Sequence, residues 1–283
     1  MSDLPSLDPM DRRLNLLDDR GNPVIGEGTP ASISVAFTEL RAKPEMAAAI
    51  DTQLMFGELV KVYDIQGNWA WVQAERDNYV GWLDSNTLDY DVKPATHIVS
   101  VPRTFFYPEP DLKKPHKGMR SMGSALCVAG EETVRGTDYA ILETGEAVIA
   151  KHIRKKDERD KDFVSVAEQL FLCPYLWAGT TAFGLDCSGL IKLAMFMCGN
   201  SVLRDSDMQA ATIGEEIDPG DNFENTKRGD LVFWRGHVGI CQGDGLILHA
   251  NGHSMNVASE PLSGAIERIA YLYEKPIGVR RPG

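Results

Sequence analysis

An α+β chain is predicted, with small all-β barrels ahead of a segment that combines a helix with antiparallel strands. Three observations predict it. Short, closely spaced runs of alternating apolar and polar residues fill residues 30–91. A weaker echo of them fills residues 92–155. The remainder, residues 156–283, joins a strongly apolar helical stretch to a glycine-punctuated pair of strands. Strands this short and this close together fit a small barrel better than an open sheet.

The chain has 283 residues, of which 43% are hydrophobic and 25% charged, enough for a core in each of two or three domains. Its formal net charge is −12, which argues against nucleic acid or an anionic membrane as partner, since both attract basic surfaces. No apolar run is long enough for a transmembrane helix. The opening MSDLPSLDPMDRRLNLLDDRGNP lacks a basic region followed by an apolar one, so it does not read as a secretory signal. The five cysteines, Cys127, Cys173, Cys187, Cys198 and Cys241, are odd in number and irregularly spaced, with no CxxC pair. A reducing cytoplasm is the expected compartment.

Taken in order, residues 1–29 are polar and rich in Asp, Pro and Gly, and form either a disordered tail or an arm draped over a domain. In residues 57–88 the pattern alternates through Leu59, Lys61 and Tyr63, then Trp69 and Trp71, then Tyr79 and Trp82, with a turn at Gln66-Gly67-Asn68. Gly57-Glu58 to Val62, Gly67 to Val72 and Tyr79 to Leu88 resemble the GExVxV, GxWxxV and GYVxxxxL blocks of bacterial SH3-like barrels. That resemblance implies one barrel over 30–91 and a second, more divergent copy over 92–155, where a turn is expected at Thr144-Gly145-Glu146. Trp69, Trp71 and Trp82 belong either to the barrel core or to a ligand groove. Residues 151–170 pass from mixed charge into helical spacing at Phe163, Val166, Ala167 and Leu170, read as a linker and a helix face.

The chemistry concentrates in the last segment. In GLDCSGLIKLAMFMCGN, Leu190, Ile191, Ala194, Met197 and Cys198 share one helical face, and Gly199 follows as a C-cap. Cys187 then falls in the first turn, where free N–H groups and the helix dipole lower a thiol pKa and can hold an oxyanion. Cys198 is expected to be a buried core thiol. A nucleophilic thiol needs a base oriented by a third group. GDLVFWRGHVGICQGDGLILHANG reads as strand, Gly-rich turn and strand. With a three-residue loop Gln242-Gly243-Asp244, Cys241 faces Gly245 and His237 falls directly opposite His249, whereas a two-residue loop shifts the register by one and makes the pair less direct. One imidazole can then act as base while the other fixes its orientation. A metal site of Cys187, His237 and His249 lacks close ligand pairs and an acidic ligand, so neither metal nor cofactor is expected. His253 is expected in a surface loop, and Arg228-Gly229-Asp230 as a turn entering a strand.

Three blocks, YLWAGTTAFGLDCSGL at 175–190, RGDLVFWRGHVGI at 228–240 and ILHANG at 247–252, together resemble the NlpC-type cell-wall peptidases, a papain-like cysteine peptidase group. One departure is Arg228, where that group often has Pro. The resemblance covers about the last 125 residues and implies a papain-like domain over 156–283. It implies Cys187 as nucleophile, His237 as general base and His249 as the orienting third member. It also implies Tyr175 near the oxyanion and Asp186, Ser188 and Ser206 around the substrate, Ser206 being otherwise an ordinary helix N-cap. Members with two barrels ahead of the peptidase resemble γ-D-glutamyl-L-diamino-acid endopeptidases, which cut peptidoglycan stem peptides between D-Glu and meso-diaminopimelate or Lys. The implied partner is a free murein stem peptide with N-terminal L-Ala, whose ammonium an acidic group such as Asp64, Glu75 or Asp77 would hold. Two other readings compete: an acyltransferase or amidase on the same core, and a non-catalytic peptidoglycan-binding module built on the barrels.

Overall fold

The computed structural model describes residues 3–17, 20–24 and 26–283. Residues 1, 2, 18, 19 and 25 of the expected arm lie outside the described residues. The chain divides into two compact units, Arg12–Arg159 with Thr181–Phe183, and Met1–Asp11 with Asp160–Thr180 and Gly184–Gly283.

The all-β unit contains two sets of strands. The first is a seven-stranded antiparallel sheet in the spatial order Ile50–Met55, Phe37–Arg41, Val80–Asp84, Trp69–Ala74, Leu59–Gln66, Thr29–Ile33 and Leu88–Asp89. Its core takes the parity opposite to the large aromatics: Val60, Ala70, Val72 and Leu83 are buried, whereas Trp69, Trp71 and Trp82 are half-buried on the other face. There Trp71 stacks on Trp82 with ring centroids 6.3 Å apart. The alternation was therefore legible but its inward face was not, because apolar residues occupy both faces of these strands.

Asp77 is buried and accepts the Tyr79 N–H, whereas Asp64 and Glu75 are exposed. Two residues of the arm, Arg13 and Leu14, bond within this unit. The Arg13 carbonyl accepts the Val80 N–H at 2.8 Å and the Leu14 carbonyl accepts from Gln73 at 3.1 Å.

The second set comprises a five-stranded and a three-stranded antiparallel sheet between His97 and Lys155. Val99 and Leu126 from the smaller sheet and Phe106, Ala140 and Val148 from the larger close one core. Gly145, at φ +82°, supplies the left-handed residue of the expected turn after Thr137–Leu142.

Among its described residues the other unit contains four helices, α1 (Phe163–Glu168), α2 (Cys187–Met197), α3 (Ser206–Thr212) and α4 (Leu262–Leu272). Its six-stranded antiparallel sheet is built from β1 (Glu215–Ile217), β2 (Leu231–Trp234), β3 (His237–Gly243), β4 (Leu246–Asn251), β5 (Asn256–Pro261) and β6 (Gly278–Arg281), in the order β1-β6-β2-β3-β4-β5. Val232, Trp234, Cys241, Ile247 and Val279 on one sheet face pack against Leu262, Ala265 and Ile269 of α4. α2 is buried almost all round, with only Phe196 partly exposed along its length, as expected for a helix inside a core rather than on a surface. Gly199, at φ +89°, ends it, with Asn200 N–H returning to the Met195 carbonyl at 3.0 Å.

Three local expectations resolve here. α1 is short, capped by Asp162, whose carboxylate accepts from Val164 N–H at 3.0 Å. Cys198 is half-buried at the C-cap of α2 rather than in the core, because the helix face turns outward as the chain leaves it. Asp230 of the Arg-Gly-Asp turn is buried and paired with Arg281 at 2.7 Å, while Arg228 grips Asp162 and Glu168 at 2.8 Å each. That tripeptide is a structural turn into β2.

Candidate active site

Cys187 is the first residue of α2. Asp186 caps the helix, accepting the Gly189 N–H at 2.7 Å, and so fixes where the first turn starts. The thiol is buried, with Sγ 3.9 Å from the Gly236 carbonyl, and the N–H groups of Val238 and Ser188 point at it. It therefore lies against the backbone that flanks His237. Burial pushes the thiol pKa up to about 12, with the Asp186 charge adding to the rise, against smaller opposing pulls from Val238 N–H and Arg204. This corrects the expectation of a thiolate at the helix N-terminus. The site is too dry for the helix dipole to ionise the thiol at rest.

His237 begins β3 and His249 lies in β4. His237 Nε2 and His249 Nδ1 are 2.9 Å apart, with ring centroids 5.1 Å apart. The register is not the expected one. Asp244 and Gly245, at φ +51° and +71°, form a two-residue turn between Gly243 and Leu246, and a bulge at Gln242 follows. Cys241 thus faces Ile247, not Gly245, and Ile240 faces Leu248. His237 and His249 are diagonal neighbours two residues out of direct opposition. They still meet, because a two-residue offset keeps both on one sheet face. Gly239 makes the diagonal possible: a Cβ there would sit 3.3 Å from His249 Cβ and 2.5 Å from Ile247 Cδ1.

Both imidazoles are dry. Burial pushes His237 down to about 3, helped by the nearby His249 and the Arg268 charge. His249, with no exposed surface, is also lowered by burial, against an upward pull from Glu260. The resting pair is a neutral thiol beside a neutral imidazole. Trp234 packs against His237 with ring centroids 5.6 Å apart.

Two residues that sequence reasoning did not single out complete the site. Arg204 is 1% exposed and pairs with the Asp186 carboxylate; its Nη1 also donates to Ser188 Oγ at 2.8 Å. It thereby fixes both residues that flank Cys187. Glu260 Oε1 lies 2.8 Å from His249 Nε2, and Arg268 of α4 pairs with Glu260. Both needed long-range packing to be seen, though a lone Arg two residues before Ser206 was available as a signal.

Tyr175 is half-buried, and burial first, with smaller contributions from Cys187 and Asp186 nearby, pushes its phenol up to about 12, so it remains a hydrogen-bond donor. Ser206 occupies the first turn of α3, half-buried; Asp205, not Ser206, is the N-cap residue. Gln209 of α3 donates to the Ser188 carbonyl at 3.0 Å and so ties α3 to the first turn of α2. His253 is exposed, as expected. Beside the two histidines opens a cleft of about 540 Å³, lined by Tyr175, Trp177, Arg268 and Tyr273 among others.

Comparison with known proteins finds relatives over both parts of the chain. Residues 173–273 match the NlpC/P60 family, and residues 40–88 match the bacterial dipeptidyl-peptidase Sh3 domain. Dipeptidyl-peptidase 6 of Lysinibacillus sphaericus is 24% identical over 251 residues, 81% of this chain and 91% of that protein. A γ-D-glutamyl-L-lysine dipeptidyl-peptidase of Bacillus cereus is 28% identical over 260 residues, 79% of this chain and 74% of that protein. The crystal structure of an NlpC/P60 family protein from Bacillus cereus shares the fold, with a TM-score of 0.74 at 22% identity, covering 89% of this chain and 99% of that one.

Proposed function

We propose that this chain, an NlpC/P60-family cysteine peptidase with SH3-like β-structure ahead of its peptidase domain, hydrolyses the bond between γ-D-glutamate and the diamino acid of peptidoglycan stem peptides. The observation that carries the reading is the buried Cys187 at the N-terminus of α2, set against the strand start that holds His237 and its partner His249. The substrate is supported by the relatives from Bacillus cereus and Bacillus subtilis, both named γ-D-glutamyl-L-lysine dipeptidyl-peptidases.

The chemistry follows from the neutral resting pair. His237 takes the Cys187 proton as the sulfur attacks the γ-carbonyl of D-Glu. The first N–H groups of α2 and the Tyr175 hydroxyl stabilise the oxyanion. The imidazolium returns its proton to the leaving amine, giving a thioester, which water then hydrolyses with His237 again as base. Asp186, Ser188 and Ser206 surround the glutamyl half, with Arg204 holding the first two in place.

The substrate proposed is a free murein peptide with N-terminal L-Ala, met in the cytoplasm during wall recycling. Five cysteines without a disulfide partner fit a reducing compartment. Incubation with L-Ala-γ-D-Glu-L-Lys and its meso-diaminopimelate counterpart, followed by mass spectrometry, tests the proposal. Release of L-Ala-γ-D-Glu supports it. Cleavage restricted to intact sacculi would overturn the recycling role, and transfer to an added amine in place of hydrolysis would make the enzyme an acyltransferase.

A further inference from the structure

The histidine pair does not end at His249. His249 Nε2 meets Glu260 Oε1 at 2.8 Å, and Glu260 is itself paired with Arg268. These groups come from four elements: His237 from β3, His249 from β4, Glu260 from β5 and Arg268 from α4. The β4–β5 register sets Glu260 opposite Ile247, which puts it diagonal to His249 on the same face.

A carboxylate only accepts hydrogen bonds, so the contact places a proton on His249 Nε2. A neutral imidazole carries one N–H, so His249 Nδ1 is then an acceptor. The 2.9 Å contact with His237 Nε2 in turn requires that Nε2 to donate. His237 Nδ1 is left with its lone pair, and it is the only ring nitrogen of the pair without a partner among the described residues. One carboxylate three groups away thus determines which nitrogen can accept a proton from Cys187.

We propose that Glu260 is the positioning residue that fixes the tautomers of both histidines, and that Arg268 balances its charge so that the fixed imidazoles stay neutral. The proposal rests on the reading of Cys187 and His237 as nucleophile and base. The two charges act in opposite senses. Glu260 alone favours imidazolium, and Arg268 opposes it; the Arg268 charge lowers the proton affinity of both rings. The other ionisable groups around the pair are His253 from the β4–β5 loop, which also pulls His249 down, Arg235 and Glu274, which pair with each other at 3.2 Å, Tyr273, and Cys187 and Tyr175, whose raised pKa values leave both uncharged.

This arrangement gives a signature that a merely structural ion pair would not. Glu260→Gln allows both tautomers and leaves Arg268 unbalanced. Its kcat falls roughly tenfold at constant KM, as for other partners that orient a functional imidazole, and the acidic limb of its pH–rate profile moves to lower pH. Arg268→Met leaves Glu260 unbalanced, and the same limb moves to higher pH.

The limb is read twice, from peptide hydrolysis and from the rate of Cys187 alkylation by iodoacetamide. Alkylation needs no substrate, so failure of the relay is distinguishable from failure of the substrate assignment. Nitrogen-15 shifts of the wild-type imidazoles need no variant and are expected to show protonated Nε2 on both His237 and His249. Limbs that stay put or move together, a Glu260→Gln kcat within twofold of wild type, or a protonated Nδ1 on His237 would overturn the proposal.

Discussion

Cys187 and His237 are driven apart in proton affinity by the same cause. Burial penalises the thiolate of one and the imidazolium of the other, toward about 12 and about 3. The proposed base, His237, is therefore neutral far below the ordinary histidine range. We predict a kcat/KM that is flat from pH 7 to pH 5, with its acidic limb lower still; a limb centred near 6.5 would show that His237 is wetter than described. Arg204 and Asp186 are buried partners, and Arg204→Met leaves the carboxylate unpaired beside the nucleophile. That loss costs about 3–5 kcal/mol, measurable as a lower urea midpoint, and it takes activity with it because Asp186 also caps α2. Cys187, His237 and His249 were legible in the sequence because each sits in a local pattern, a helix start or a hairpin. Arg204 and Glu260 were not, since their partners are 18 and 11 residues away on other elements.

At the scale of elements, the β3–β4 hairpin shows how a wrong register can still bring the right residues together. Asp244-Gly245 was the stronger turn signal, and a two-residue turn there followed by a bulge at Gln242 moves the pairing by two residues. An even offset preserves the face, so the histidine pair survived the error; an odd one would have separated them. Gly239 carries the consequence, because it stands where a side chain would push on both Ile247 and His249. Gly239→Ala is expected to lower kcat by about 10- to 100-fold through misplacement of His249, at a stability cost of about 1–3 kcal/mol from overpacking. Full activity in that variant would mean that His249 tolerates displacement. The same limit of sequence reasoning shows in the first sheet, where alternation identified the strands but not which face turns inward. Ala70 and Val72 fill that core, with Trp69 and Trp71 on the opposite face.

For the whole molecule, folding and acid response are linked through the dry histidines. His237, His249 and His152 all have lowered pKa values in the fold. Below their unfolded values near 6.5 the unfolded chain binds protons that the folded chain refuses, so stability falls with pH from about 6.5 downward. Asp162 and Glu168 are lowered too, by hydrogen bonds that include those from Arg228, and their contribution is lost as pH falls through those depressed values. Urea midpoints are expected to be constant between about pH 7 and pH 8 and to decline steadily below that window, less steeply in His237→Gln, and to decline again above it, where the unfolded thiols ionise and the buried Cys187 and Cys241 do not; an unchanged acid slope in that variant would remove His237 from the linkage. The central claim concerns a single bond and a single sulfur. It is tested most directly by incubating wild type and Cys187→Ala with L-Ala-γ-D-Glu-L-Lys and identifying the products by mass. The account predicts L-Ala-γ-D-Glu and free lysine from wild type and intact tripeptide from the variant. Equal cleavage by both proteins, or cleavage at the L-Ala bond, would contradict it.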